Sequence, residues 1–148
     1  MSNGFLLDTN VLSELMRQRP DTDVLDWFAQ HAHAAMRISS VTQAEILTGI
    51  ALLPAGKRRM ALALAAEQMF AQDFAGHCHV FDTAAAKNHA LIVSARTRQG
   101  HPISTEDAQI AAIALAAGLT VVTRNTKDFE KIDGLTLVNP WKNISLAK

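Results

Sequence analysis

The sequence is short of cysteine and of long apolar runs, and both shortages limit what the protein can be. Cys78 is the one cysteine in 148 residues, so no disulfide can form within the chain and a reducing cytoplasm suits it. The first four residues lack the basic segment and apolar region of a signal peptide. The most apolar later stretch, residues 110–122, is broken by Gly118 and Thr120 and is too short to span a bilayer. We therefore expect a soluble, cytoplasmic protein.

Neither sign of charge is in excess, which leaves the type of partner open. The 14 basic and 14 acidic residues give a formal charge of +0. A nucleic-acid binder often carries a basic face, so such a function would depend here on local patches. The candidates are residues 57–59, Arg96 with Arg98, and Arg124 with Lys127, and each is interpreted first as a solvated helix face or end. A hydrophobic content of 49% favours a surface buried against another copy or a partner.

Strand-like and helix-like segments alternate along the chain. Short apolar runs predict five strands, which are the run ending at Asp8 and residues 36–40, 79–81, 120–123 and 136–138. The segments between them predict helices at residues 11–16, 24–33, 41–53, 57–74, 83–97 and 106–117. Strands separated by helices predict an α/β protein with a largely parallel sheet covered on both faces. Since no linker or internal repeat is visible, residues 1–148 should form a single domain.

Acidic residues recur where predicted strands end or the following helices begin. Asp8 ends the first strand, Glu45 lies in the first turn after the second, Asp107 opens the helix at 106–117, and Asp128 follows the fourth strand. Ligands of open α/β sheets bind at the carboxyl-terminal edge of the strands, so these side chains should meet there.

Each acid taken alone also has a purely structural explanation. The segments Thr42-x-x-Glu45 and Ser104-x-x-Asp107 have the form of a capping box, in which the acid bonds to backbone at the helix start. Asp128 would suit an ordinary turn. The combination of the four is harder to explain in this way, because like charges in one pocket repel and are costly to desolvate without a cation.

A cluster of carboxylates without neighbouring histidine or cysteine favours a hard cation such as Mg²⁺ or Mn²⁺. Such an ion accepts phosphate oxygens as further ligands, and the chemistry indicated is metal-assisted phosphodiester hydrolysis. The segment His77-Cys78-His79 is a weak candidate for a soft-metal site, because no further His or Cys has ligand spacing.

Four segments in order carry a family resemblance. Residues 6–11 (LLDTNV), 40–46 (SVTQAEI), 107–114 (DAQIAAIA) and 123–129 (TRNTKDF) together resemble a PIN-domain ribonuclease, most closely the VapC/FitB toxins of type II toxin-antitoxin modules. The resemblance implies a three-layer α/β/α fold. It also implies that four catalytic acids bind the metal: Asp8, Glu45, Asp107 and Asp128, the last often through water. Polar residues that would support these acids are Thr9, Asn10, Thr123 and Asn125.

The resemblance further implies an activity and partners. The protein would be a Mg²⁺-dependent endoribonuclease, with Mn²⁺ as a substitute, in which metal-bound water attacks the RNA. An antitoxin would hold it inactive by covering the groove, and the toxin would form a homodimer.

Two other classes of function are left open by the residues. A phosphatase with an aspartate nucleophile also places an acid after its first strand, but a second acid is expected two residues later, where this chain has Asn10. The acids could instead bind partner arginines in a catalytically silent module.

Overall fold

The computed structural model describes residues 4–142. Residues 1–3 and 143–148 lie outside the described residues. The two ends of the domain predicted at 1–148 therefore fall there, as do the first residues of the segment that was compared with a signal peptide. The strands are β1 (Phe5–Leu7), β2 (Met36–Ser39), β3 (Cys78–His79), β4 (Thr120–Val122) and β5 (Leu137–Val138). The helices are α1 (Thr9–Leu15), α2 (Thr22–Gln30), α3 (Ser40–Ala51), α4 (Lys57–Gln68), α5 (Thr83–Arg98) and α6 (Thr105–Ala117).

The five strands form one parallel sheet in the order β3-β2-β1-β4-β5. The chain builds outward from β1 to β3 and then returns to the other side of β1, so the connections leave β1 and β4 in opposite directions. Such a switch point opens a crevice at the carboxyl ends of the two central strands. The predicted parallel sheet of about five strands, with helices in a layer on each face, is confirmed.

Alternating apolar residues on the central strands build the two cores. Leu6 and Val121 pack with α5 and α6 on one face, and both are fully buried. Their neighbours Leu7 and Val122 point to the opposite face, where they join residues of α1, α2 and α3. Since successive side chains of a strand alternate between faces, a strand covered on both sides must be apolar at every position. Burial of each such side chain contributes roughly 2 kcal/mol.

Most predicted bounds are displaced by one to three residues, as in the helix predicted at 24–33, which the structure places at Thr22–Gln30. Two further differences have a physical reason. The third strand lies at 78–79 and not at 79–81, because its neighbour β2 ends at Ser39 and offers no partner to Val80 or Phe81. The predicted helix 57–74 is α-helical only to Gln68 and continues as a π-helical turn over residues 69–73. This wider turn places Met69 and Phe74, five residues apart, together in the core.

The apolar stretch at 110–122 is divided between α6 and β4. Gly118 ends α6 in the left-handed conformation, at φ 69°, which glycine adopts without steric cost. The chain can therefore turn back at once into β4 beneath the helix. Within residues 4–142, no helix has the length and the apolar character that a membrane crossing requires.

Candidate active site at the carboxyl-terminal edge of the sheet

Asp8 is the most buried of the predicted site acids, with 5% of its surface exposed. It follows β1 and caps α1, where its Oδ1 accepts a hydrogen bond from the Thr9 N–H at 2.8 Å. Its Oδ2 accepts from the Thr123 hydroxyl at 2.8 Å and from Asn10 Nδ2 at 3.2 Å. Burial raises the pKa of Asp8, although these hydrogen bonds oppose the shift. The carboxylate is therefore held in one orientation by three donors.

Backbone and side-chain bonds join the end of β4 to this carboxylate. The Thr123 hydroxyl oxygen accepts hydrogen bonds from the Asn125 N–H at 3.0 Å and from Asn10 Nδ2 at 3.3 Å. Asn10 Oδ1 in turn accepts from the Arg124 N–H at 3.2 Å. The structure thus places Asn10 and Thr123 against Asp8, as predicted. Within the described part of the chain, Asn125 contributes its backbone N–H, and its side chain makes no hydrogen bond.

Glu45 reaches the same edge from α3. The helix begins at Ser40 and is capped by Ser39, whose hydroxyl accepts from the Thr42 N–H at 3.1 Å. The capping-box interpretation of Thr42 and Glu45 is therefore wrong, because the helix starts earlier than that interpretation requires. Glu45 lies in the second turn, and its carboxylate accepts a hydrogen bond from the Thr9 hydroxyl at 2.6 Å. Thr9 therefore links the acid of α3 to the strand end that carries Asp8.

Asp107 approaches from the opposite layer, in the first turn of α6. Its N–H donates to the capping Ser104 hydroxyl at 3.1 Å, so this half of the predicted capping arrangement is confirmed. The pKa of Asp107 is raised to about 6, and burial is the largest cause. The negative charges of Asp8, Asp128 and Glu45 contribute to this rise, whereas a hydrogen bond from Ser104 opposes it. Carboxylates from three other segments thus lie within electrostatic reach of Asp107.

Asp128 lies in a 3-10 turn (Thr126–Phe129) after β4, and its side chain is exposed. The backbone of this loop is held by Arg96, which donates to the Asp128 carbonyl at 2.9 Å and to the Glu130 carbonyl at 3.1 Å. Arg96 Nε also donates to the His101 carbonyl at 2.8 Å.

Arg96 itself is only 7% exposed, so its interpretation as part of a solvated basic patch is wrong. The sequence carried one signal of this burial, because Arg96 stands four residues after the buried Ile92 on the same face of α5.

The donor set suits a hard cation, since the side chains coupled to Asp107 are carboxylates. As the side chains lie, however, no three His, Cys, Asp or Glu residues between 4 and 142 are arranged to hold a metal ion together. The acids therefore share an electrostatic environment without yet sharing a coordination sphere. The residues fit a divalent metal ion, provided that small side-chain rotations bring the carboxylates together.

Comparison with known proteins identifies the family. The sequence model described as PIN domain matches residues 5–135. The chain belongs to the PIN-domain family.

Relatives of this PIN domain extend over nearly its whole length. The plasmid stability protein StbB of Pseudomonas syringae is 43% identical over 137 residues, which cover 93% of this chain and 98% of StbB. A VapC ribonuclease of Sinorhizobium fredii is 38% identical, with coverage of 93% and 97%. The toxin FitB of Neisseria gonorrhoeae is 38% identical, with coverage of 92% and 97%. The crystal structure of FitAcB from that organism matches the fold with a TM-score of 0.83 at 37% identity, covering 93% of this chain and 98% of that one.

A groove of about 1090 Å³ opens beside the acids of this PIN domain, between α1, α3 and α4. Thr9 and Glu45 lie on its wall, so the groove is continuous with the acid cluster. Its apolar lining is aliphatic and includes Met16, Ile46, Ile50, Leu53 and Leu62. Its basic lining comprises Arg17, Arg19, Lys57 and Arg58.

Proposed function

We propose that the protein is a Mg²⁺-dependent endoribonuclease, with Mn²⁺ as a substitute, that acts as the toxin of a toxin-antitoxin pair. The observation that carries this proposal is the coupling of four carboxylates from separate segments at the switch point of the sheet. Their mutual repulsion is explained if the pocket is built to bind a cation. The relatives named ribonuclease and toxin support RNA as the substrate.

In this proposal Asp8, Glu45 and Asp107 are metal ligands, and Asp128 completes the catalytic acids from the exposed side of the pocket, where it often binds the metal through water. The remaining polar residues orient these acids. Thr123 and Asn10 fix the Asp8 carboxylate, and Thr9 fixes that of Glu45. Asn125 supports Thr123 through its backbone N–H.

A bound divalent ion would lower the pKa of the attacking water and stabilise the leaving oxygen. The chain's own part is to hold the phosphate at the edge of the sheet with its scissile bond facing the acids. Addition of water and cleavage of the bond from phosphorus to the 3′ oxygen leave a 5′-phosphate and a 3′-hydroxyl. The phosphatase alternative is weakened because Asn10, which stands where a second acid would be expected, donates a hydrogen bond to Asp8 instead.

The second part of the proposal is inhibition by an antitoxin segment that lies in the groove and covers the acids. The aliphatic floor of the groove would bury apolar side chains of the segment, and its basic rim would attract acidic ones. A basic side chain of the segment could reach Glu45 at the end of the groove. The protein would act in the cytoplasm, where a free, exposed Cys78 stays reduced.

The third part of the proposal is a homodimer. On α4, Met60 and Leu64 are 68% and 60% exposed and stand one turn apart, and Leu52 after α3 is 80% exposed. Exposed apolar residues of this kind favour an interface with a second copy. Sedimentation equilibrium of the parent protein and of Leu64→Lys tests this assignment, since the substitution should shift a dimer towards monomer.

The deciding experiment is cleavage of a cellular RNA pool by antitoxin-free protein, in Mg²⁺ or Mn²⁺ and in chelator. Discrete fragments should appear only with metal and should be absent with Asp8→Asn. Asp26→Asn, which removes an exposed acid of α2, is the matched control and should cleave normally. Intact RNA under every condition, from folded protein, would favour the silent binding module. A stable phosphoryl group on Asp8 would favour the phosphatase.

A further inference from the structure

Arg124 holds a position beside the acid cluster that the proposed catalytic roles do not use. It directly follows Thr123, whose hydroxyl binds Asp8, and its own N–H binds Asn10. The Arg124 backbone is therefore two hydrogen bonds from the Asp8 carboxylate. Its side chain is exposed. The side chain therefore starts from backbone at the edge of the sheet that carries Asp8.

The Arg124 side chain lies against an indole ring. Its Cζ stands 4.9 Å from the centroid of the Trp141 ring, which packs against the core formed with α1. Asn139 fastens both partners, because its Nδ2 donates to the Arg124 carbonyl at 3.3 Å and its Oδ1 accepts from the Trp141 N–H at 2.9 Å. Residues 139–141 follow β5, at the same carboxyl-terminal edge as the acids. The ring thus provides a fixed support for the guanidinium.

Arg124 makes no ion pair with the nearby acids. The single salt bridge among residues 4–142 joins Arg17 to Glu14. A guanidinium that rests on a ring, without a carboxylate partner, keeps its outer face and several N–H groups available to a ligand. Guanidinium planes are one of the surfaces on which proteins stack the splayed bases of single-stranded RNA.

We propose that Arg124, supported by Trp141, forms a subsite that stacks a base of single-stranded RNA next to the scissile phosphate. The inference rests on the proposed function, and it adds a contact that would select the nucleotide beside the cleavage site. A phosphate contact would need only a charge, which Lys127 also offers on the same loop. A planar group laid on an indole ring is better suited to a base, which can extend the stack.

The experiment measures binding without cleavage. Fluorescence anisotropy follows single-stranded RNAs of about ten nucleotides as they bind the full-length Asp8→Asn protein in chelator. In that background Arg124→Lys keeps the positive charge but removes the planar guanidinium, and it should weaken RNA binding about tenfold. Arg98→Lys, at an exposed arginine of α5, is the matched control and should bind as the parent does.

A series of RNAs with one abasic position each tests the stacking partner directly. At one position, loss of the base should weaken binding to the Asp8→Asn protein about tenfold. The same loss should have no effect on binding to the protein that also carries Arg124→Lys, because the stacking contact is already absent there. In the active protein, Arg124→Lys should raise KM and leave kcat unchanged, because the stack is equally strong before and during the reaction.

Two results would overturn the inference. If Arg124→Lys binds every RNA as the parent does, or if no abasic position is coupled to Arg124, the arginine has a structural role or contacts phosphate alone. The proposed nuclease would survive that outcome, since the active protein would still cleave. If the parent neither binds nor cleaves any RNA, both proposals fail together.

Discussion

The site has one rigid acid and one adjustable acid, although both follow central strands of the same sheet. Asp8 is 5% exposed, and three donors fix its carboxylate. Asp128 is exposed, and Arg96 holds the carbonyl of Asp128 but not its carboxylate. The fold therefore orients Asp8 before any ligand arrives, whereas for Asp128 it fixes only the backbone.

This difference indicates how the pocket could accept a cation. Three carboxylates do not converge within the described residues, so the proposed binding of a metal ion would require some side chain to move. Movement of Asp8 would break three hydrogen bonds, whereas rotation of Asp128 would break none that the structure records. We expect the buried acid to define the site and the exposed acid to adapt to it.

The largest expected effect separates these two acids. Asp8→Asn should lower kcat/KM for RNA cleavage by roughly a thousandfold or more, and Asp128→Asn by only about tenfold. Cleavage of one RNA substrate over a range of enzyme concentrations measures both values, with circular dichroism to verify folding. Equal losses for the two variants would contradict the comparison.

The second prediction concerns Arg96, the buried arginine whose guanidinium binds the backbone of the Asp128 loop. Arg96→Met removes the donors to three carbonyls in a buried position and should lower the free energy of unfolding by about 3 kcal/mol. Urea unfolding measures this loss. Arg98→Met, at an exposed position two residues later, is the control and should change stability by less than about 0.5 kcal/mol.

The activity of Arg96→Met extends this test from stability to positioning. Under conditions where the variant is folded, its cleavage rate should fall to that of Asp128→Asn and no further, because the loop that carries Asp128 loses its support. A rate as low as that of Asp8→Asn would show that Arg96 acts on more than this loop.

The third prediction tests whether the acids share a pocket. In chelator at neutral pH, Asp107→Asn should melt at a higher temperature than the parent, by on the order of 2 °C, because it relieves repulsion among the acids. Saturating Mg²⁺ should raise the melting temperature of the parent more than that of the variant, because binding of the ion stabilises the folded state that binds it more tightly. Glu106→Gln removes the neighbouring acid of the same helix start and should not stabilise the protein. A less stable Asp107→Asn in chelator would contradict the shared pocket.

The sequence was a good guide to the central strands and a poor one to the supports of the site. Residues 5–7 and 120–122 could be placed because strands buried on both faces are apolar at every position. Asp8 could be placed because it ends such a run. The start of α3 was predicted to within one residue, but its cap was misassigned in the capping-box interpretation, since Ser39 and Thr42 are equally plausible caps in the sequence and only packing distinguishes them.

Long-range contacts account for the rest. The carbonyls that bind Arg96 are up to 34 residues away in the chain, and the hydroxyl that binds Asp8 belongs to a residue 115 positions away. No local pattern encodes either contact. Similarly, the contact between Arg124 and Trp141 depends on the path of the chain after β5, which sequence periodicity does not specify.

The smallest expected effect is on the pH dependence of stability in chelator, and comparison of the parent with Asp107→Asn isolates the part that is due to Asp107. The pKa of Asp107 is about 6 in the folded protein, against an ordinary value of 3.8, so the folded state binds this proton more tightly than the unfolded state. Its contribution to stability is fully present below pH 3.8 and is lost as the pH rises through about 6. The raised pKa of Asp8 has the same sign, but it is present in both the parent and Asp107→Asn and cancels to first order. Urea midpoints of these two proteins should therefore draw together at acid pH and separate above about pH 6, with the variant the more stable. A difference that does not change with pH would mean that Asp107 ionises as an ordinary surface acid.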